Sequence, residues 1–148
     1  TLPYQGSYVG DEGDQVVHRM GDVGYVDAQG RLWFCGRKAH RVVTARGTRF
    51  TVPCEGVFNQ CPKVARTALV GVRRNGAVEP VLCVELDPAA RADSRDAIRA
   101  ELRALGARHE LTREIETILF HPAFPVDVRH NAKIFREKLA VWAARKLP

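Results

Sequence analysis

The sequence has no long apolar stretch: its uncharged apolar runs, such as Val81 to Val84, are a few residues long, far short of the roughly 20 that a membrane helix needs. No transmembrane segment is expected. Thr1-Leu2-Pro3-Tyr4 has no initiator methionine, basic segment or apolar segment, so the expectation is a piece of a longer chain without a secretory signal. Cysteine is sparse: Cys35, Cys54, Cys61 and Cys83 form no Cys-x-x-Cys pair and have no histidine at zinc-finger spacing. No metal ligands are assigned, and the four are read as reduced thiols of a cytoplasmic protein. Runs of like charge are missing too, although 23 Lys plus Arg against 17 Asp plus Glu leave a net charge of +6. With the positive charges scattered among acids, nucleic acid is not an expected partner. Walker-type, Gly-x-Gly-x-x-Gly and Gly-x-Ser-x-Gly motifs are absent, so if the chain handles a nucleotide, most of the pocket lies elsewhere.

What remains is 148 residues, 45% of them hydrophobic, enough for one soluble globular domain with its own core. Arginine supplies 18 of the 23 basic residues, which suits recognition of phosphate or carboxylate.

Strand signals dominate the first third. Val16-Val17, Tyr25-Val26 and Leu32 to Cys35 flank an Asp27-Ala28-Gln29-Gly30 turn, a hairpin pattern. Val42-Val43 and Phe50-Thr51-Val52 around Ala45 to Thr48 predict a second hairpin. At Pro53 the period changes to that of a short helix through Val57, Phe58 and Cys61, with Glu55 favourable near the N-terminal end of the helix dipole. Ala68 to Val72 and Val81 to Leu86 predict strands joined by a type I′ turn at Asn75-Gly76. Ala97, Ile98, Leu102 and Leu105 predict a helix capped by Ser94, Ile115 to Phe120 a strand, and Phe135, Leu139 and Trp142 a final helix over Lys133 to Arg145, capped by Asn131. The order implies an α+β fold with a small, mostly antiparallel sheet and flanking helices. A break near Gly36-Arg37 separates an N-terminal β portion from the rest.

Two constellations carry candidate chemistry. Asp22 beside Gly21, with Arg37 after the next strand, places an acid that can accept ribose hydroxyls and a guanidinium that can donate to ribose or phosphate oxygens. The same residues also suit a pair of ordinary β-turns. Lys133, after a loop containing Pro122 and Pro125, is predicted in the first turn of the last helix, where a cation opposes the macrodipole by about 0.3–1 kcal/mol. It is a candidate for reaching an anion, or a solvated surface lysine. His121 and His130 lack a third ligand nearby.

The order Gly21-Asp22, Tyr25-x-Asp27-x-x-Gly30-x-Leu32-x-Phe34-x-Gly36-Arg37, Gly47-x-Arg49-Phe50, Pro53-x-Glu55, Pro125 and Lys133-Ile134-x-Arg136 resembles the C-terminal region of the adenylate-forming superfamily, which includes acyl-CoA synthetases and peptide-synthetase adenylation domains. Pro53-Cys54-Glu55-x-x-Phe58-Asn59 and Phe124 to Lys133 resemble, within it, the bacterial β-lactone synthetases of long-chain olefin biosynthesis. The resemblance implies that residues 1–36 end a large N-terminal adenylation domain and residues 37–148 form its C-terminal lid. It implies that Asp22 binds the ribose of ATP, that Arg37 contacts ribose or phosphates, and that Lys133 is the catalytic lysine bridging the substrate carboxylate and the α-phosphate. ATP and Mg²⁺ are the implied cofactors, bound mainly by the large domain. The implied partners are that domain, a long-chain acyl or 3-hydroxyacyl substrate and other enzymes of a lipid pathway.

Departures from the family pattern bear on the product. Ala39 stands where the family has an Asp or Lys hinge, Val43 where many members have Lys, Ala132 where a Gly usually precedes the lysine, and Met20 where a Thr usually precedes Gly-Asp. The loop from Pro125 is longer than usual, and an extra residue precedes Gly47. The thioester-forming machinery is the part most altered. An enzyme whose second step is intramolecular does not need it. The expected function is activation of a long-chain 2-alkyl-3-hydroxy acid as its adenylate, followed by closure to a β-lactone, with residues 1–148 alone inactive. The alternatives are a fatty acyl-CoA or acyl-carrier ligase and a non-catalytic basic interaction module.

Overall fold

A computed structural model describes residues 21–130 and 133–148. The strand expected at Val16-Val17, Met20 and the cap assigned to Asn131 lie outside the described residues.

Asn75-Gly76 makes the central hairpin. Both residues take positive φ, 49° and 78°, which is what a type I′ turn requires. In chain order the elements are β1 (Asp22–Val26), β2 (Leu32–Arg37), β3 (Val42–Thr44), β4 (Gly47–Arg49), α1 (Thr51–Phe58), β5 (Val64–Arg74), β6 (Ala77–Leu86), α2 (Arg95–Ala107), β7 (Thr117–Phe120), β8 (Val126–Asp127), β9 (Lys133–Ile134) and α3 (Arg136–Lys146), and the turn joins β5 to β6. β5 and β6 are antiparallel, and β7 joins β6 in parallel after the α2 crossover. Among the described strands this parallel pair is the exception to otherwise antiparallel pairing.

Period-two alternation explains why β5 and β6 read as continuous apolar runs: both faces are covered. Leu69, Leu82, Val84 and Leu86 pack on Cys54 and Phe58 of α1 and on Ile98 and Leu102 of α2. Ala68, Val70, Val72, Val81 and Cys83 pack on Phe124 and on Leu139 and Ala143 of α3. The result is a three-layer α+β unit. Ser94 caps α2 as expected, its hydroxyl accepting from the Ala97 N–H at 3.3 Å. All four cysteines are buried free thiols.

Three local expectations are corrected. The second hairpin pairs Val42–Thr44 with Gly47–Arg49, and Phe50 is the N-cap of α1, not part of a strand. Pro53 sits within the first helical turn, where a missing N–H costs no intrahelical bond, so the helix starts upstream of it. Glu55 is buried and lies beyond that first turn, so its partner is not the dipole. The last helix starts at Arg136, because Val126 pairs with Ile134, Asp127 pairs with Lys133 and the Phe135 N–H donates to the Pro125 carbonyl at 2.9 Å. Lys133 therefore lies on a strand, and the macrodipole argument does not apply to it.

The β1–β2 hairpin meets the rest through Gly36, whose φ is +115° and whose absent Cβ would collide with the Thr51 side chain at the start of α1. Gly36→Ala combines a left-handed backbone with that clash. It is expected to cost about 1–3 kcal/mol, read as a lower denaturant midpoint with an unchanged m-value.

Candidate functional site: a cationic cleft

Asp22 opens β1 and Arg37 closes β2, and antiparallel register sets them opposite each other. Their side chains form an ion pair, Nη1 to Oδ1 3.4 Å, with each side chain about two-fifths exposed (42% and 41%). Such a surface pair is worth at most about 1 kcal/mol, so a ligand with hydroxyls can compete for the Asp22 carboxylate. Asp27, by contrast, is spent on its turn. Its carboxylate accepts from the Gln29 and Arg31 N–H groups and from the Trp33 indole at 2.8 Å, bonds that hold it below the usual carboxylate range, the Trp33 bond foremost.

After Arg37 the chain makes a single 3-10 turn, Lys38–His40, anchored by the Lys38 N–H donating to the Gly21 carbonyl at 2.7 Å. A cleft of about 760 Å³ follows. Arg37, Lys38, His40, Arg41 and Lys133 line it. A smaller recess of about 310 Å³ shares Arg37, His40 and Lys133 and reaches Phe34 and Arg136. Two of the three residues singled out from sequence, Arg37 and Lys133, are thus brought to one cavity. Asp22 stands at its edge, next to Gly21.

Lys133 is presented by the β8–β9 ladder. No described carboxylate comes within ion-pair distance of its ammonium. Charge nearby is felt all the same: Lys133 helps depress the carboxyls of Asp127 and Glu137 and the imidazole of His40. The His40 ring is mostly buried, with Nε2 3.3 Å from Glu137 Oε1. Burial first, and the Arg136 charge next, pull its pKa down, which favours the neutral ring in a cleft already carrying four cations.

Behind Lys133 lies a contact the sequence reading missed. Arg136 Nη1 is 2.7 Å from Glu55 Oε1, and its Nη2 donates to Oε2 at 3.1 Å. The Leu69 N–H donates to the same carboxylate, and Arg136 donates to the Leu69 carbonyl at 3.4 Å. This forked pair ties α1, β5 and the start of α3 together three residues past Lys133. The available signal was a glutamate among Val52, Cys54, Val57 and Phe58, since an acid on a buried face requires a buried cation.

His121 packs edge-on against Trp142 at 4.6 Å, and its Nδ1 accepts from the Ala123 N–H. His130 bonds Asp127 through Nδ1 at 2.8 Å. Among the described residues no group of three or more His, Cys, Asp or Glu comes together to hold a metal ion. The cleft's donors are arginine and lysine, a set that fits phosphate and carboxylate oxygens and does not fit Mg²⁺. No described helix is long and apolar enough to cross a membrane.

The chain belongs to the adenylate-forming superfamily and has the α+β fold of its C-terminal region. An anthranilate CoA ligase in complex with anthranoyl-AMP superposes with a TM-score of 0.74 at 22% identity, over 86% of this chain and 25% of that one. An amide bond synthetase from Marinactinospora thermotolerans superposes with a TM-score of 0.69 at 25% identity, over 84% and 24%. Within the class, the chain is 58% identical over 136 residues to the olefin β-lactone synthetase of Xanthomonas campestris and 60% identical over 137 residues to that of Stenotrophomonas maltophilia. These matches cover 92% and 93% of this chain and 24% of each relative, so the chain spans about a quarter of their length. No protein-family model matches it.

Proposed function

We propose that this chain is the nucleotide-facing lid, with its hinge, of an ATP-dependent enzyme that activates a 3-hydroxy acid as its adenylate and closes it to a β-lactone. The observation that carries this reading is the meeting of Arg37 and Lys133, far apart in sequence, on one cationic cleft. In this reading residues 1–36 end the large domain and residues 37–148 form the lid. Leu32 and Phe34, on one face of β2 and 70% and 55% exposed, form apolar surface for the large domain to cover.

The chemistry follows from charge. A carboxylate attacking the α-phosphorus of ATP brings two anions together. A fixed ammonium at Lys133, without a competing ion pair among the described residues, offsets that repulsion where charge develops. Asp22 accepts from the ribose hydroxyls, and Arg37, released from Asp22, donates to ribose or phosphate oxygens. Mg²⁺ would accompany ATP and be held by the rest of the protein. In the second step the substrate's own hydroxyl attacks the activated carbonyl, so proximity replaces a second substrate. The 58–60% identity to olefin β-lactone synthetases supports this product.

With the complete polypeptide, a long-chain 3-hydroxy acid and ATP, AMP release is expected to proceed equally well with and without coenzyme A. An absolute requirement for coenzyme A would replace the lactone reading with that of a thioester-forming ligase.

A further inference from the structure

β8 and β9 pair over only two residues each, and the residues that follow β8, up to His130, are braced by one side chain. Asp127 Oδ1 accepts from the Arg129 N–H at 2.9 Å, and its Oδ2 meets His130 Nδ1 at 2.8 Å. The His130 N–H donates to the Asp127 carbonyl, and the Lys133 N–H donates to the His130 carbonyl, each at 3.2 Å. Aspartate, histidine and lysine are thus held on one short hairpin. The bond to His130, then that from the Arg129 N–H and the Lys133 charge, keep the Asp127 carboxyl below its usual range, so it is an anion at neutral pH.

A carboxylate on Nδ1 fixes the neutral imidazole with its proton there and leaves the Nε2 lone pair outward. The His130 side chain is 73% exposed, so that lone pair is open to an incoming group. Among the described residues the ring's recorded bond is that to Asp127, and the hairpin's backbone bonds do not need it. An oriented base with an open nitrogen is the arrangement that general-base catalysis requires.

Resting on the function proposed above, we propose that His130 is the general base of lactone closure, with Asp127 as its positioning residue. As the β-hydroxyl oxygen bonds to the activated carbonyl carbon, the hydroxyl proton passes to His130 Nε2. The bond from that carbon to the AMP oxygen breaks, AMP leaves with the electron pair, and His130 returns the proton to solvent. Lys133 and His130 share a hairpin, so the element that delivers the cation for the first step also delivers the base for the second, without a large lid rotation between them.

The test uses the complete polypeptide with ATP and a long-chain 3-hydroxy acid, following pyrophosphate exchange and lactone release separately. His130→Gln is expected to lower lactone release by about 10²-fold or more, the least expected of a positioned base, with exchange retained and the acyl-adenylate accumulating. Asp127→Asn keeps the size of the side chain but removes the anion that orients the ring, and is expected to lower lactone release while pyrophosphate exchange is retained. A merely structural role would lower both together. Unchanged lactone release in His130→Gln, or a parallel fall in exchange and lactone, overturns the assignment of His130 alone. No lactone from the unaltered protein overturns the proposed function and this inference together.

Discussion

Lys133→Ala in the complete polypeptide is expected to cut acid-dependent pyrophosphate exchange by about 10²–10³-fold, the usual cost of removing one group aimed at developing charge. The side chain is exposed, and the strand that carries it is held by backbone bonds, so truncation beyond Cβ leaves the fold intact. Lys133→Arg keeps a cation but replaces a compact ammonium with a planar fork, and is expected to recover only part of the rate. The decisive comparison is between exchange rate and unfolding midpoint: the first falls and the second does not. An unchanged exchange rate in Lys133→Ala would remove this lysine from the adenylation step.

The second large effect is on stability and falls on Glu55. Burial raises its carboxyl's pKa, and the Arg136 guanidinium opposes that shift, so the anion is held in the interior chiefly by its forked partner. Glu55→Ala leaves the Arg136 guanidinium without its carboxylate in a site where its side chain is only 17% exposed, and is expected to cost about 3–5 kcal/mol. Hydrogen exchange reads this locally: the β5 amides, Leu69 above all, lose protection. Replacing both Glu55 and Arg136 with methionine is expected to recover most of the loss, because no charge is then left buried. A Glu55→Ala cost within about 0.5 kcal/mol, as for a surface site, would show that the pair does not brace the base of the Lys133 strand.

The parts of the fold legible in the sequence are those written locally. Asn75-Gly76 specifies its turn through two left-handed residues, Ser94 announces a cap, and the short apolar runs of β5 and β6 on either side of that turn predict strands. What escaped depends on partners distant in the chain. Glu55 and Arg136 stand 81 residues apart, so neither one's neighbours reveal the pair. The β8–β9 ladder has two residues on each side, too few for any periodicity, and the apolar spacing of Phe135, Leu139 and Trp142 extended the predicted helix over it. For the candidate site, the order of motifs put forward Asp22, Arg37 and Lys133 but not His40. That Arg37, His40 and Lys133 share a cleft needed the three-dimensional structure, as did the finding that His130, noted in the sequence only for lacking a third ligand nearby, is bonded to Asp127.

The most direct test of the central claim is a structure of the complete protein with a non-hydrolysable acyl-adenylate analogue. Asp22 is expected on the ribose hydroxyls, with Lys133 Nζ within about 3.2 Å of a carboxyl-derived or α-phosphate oxygen, ordinary hydrogen-bond reach. An analogue bound with Lys133 turned to solvent and the Asp22–Arg37 pair intact would contradict it.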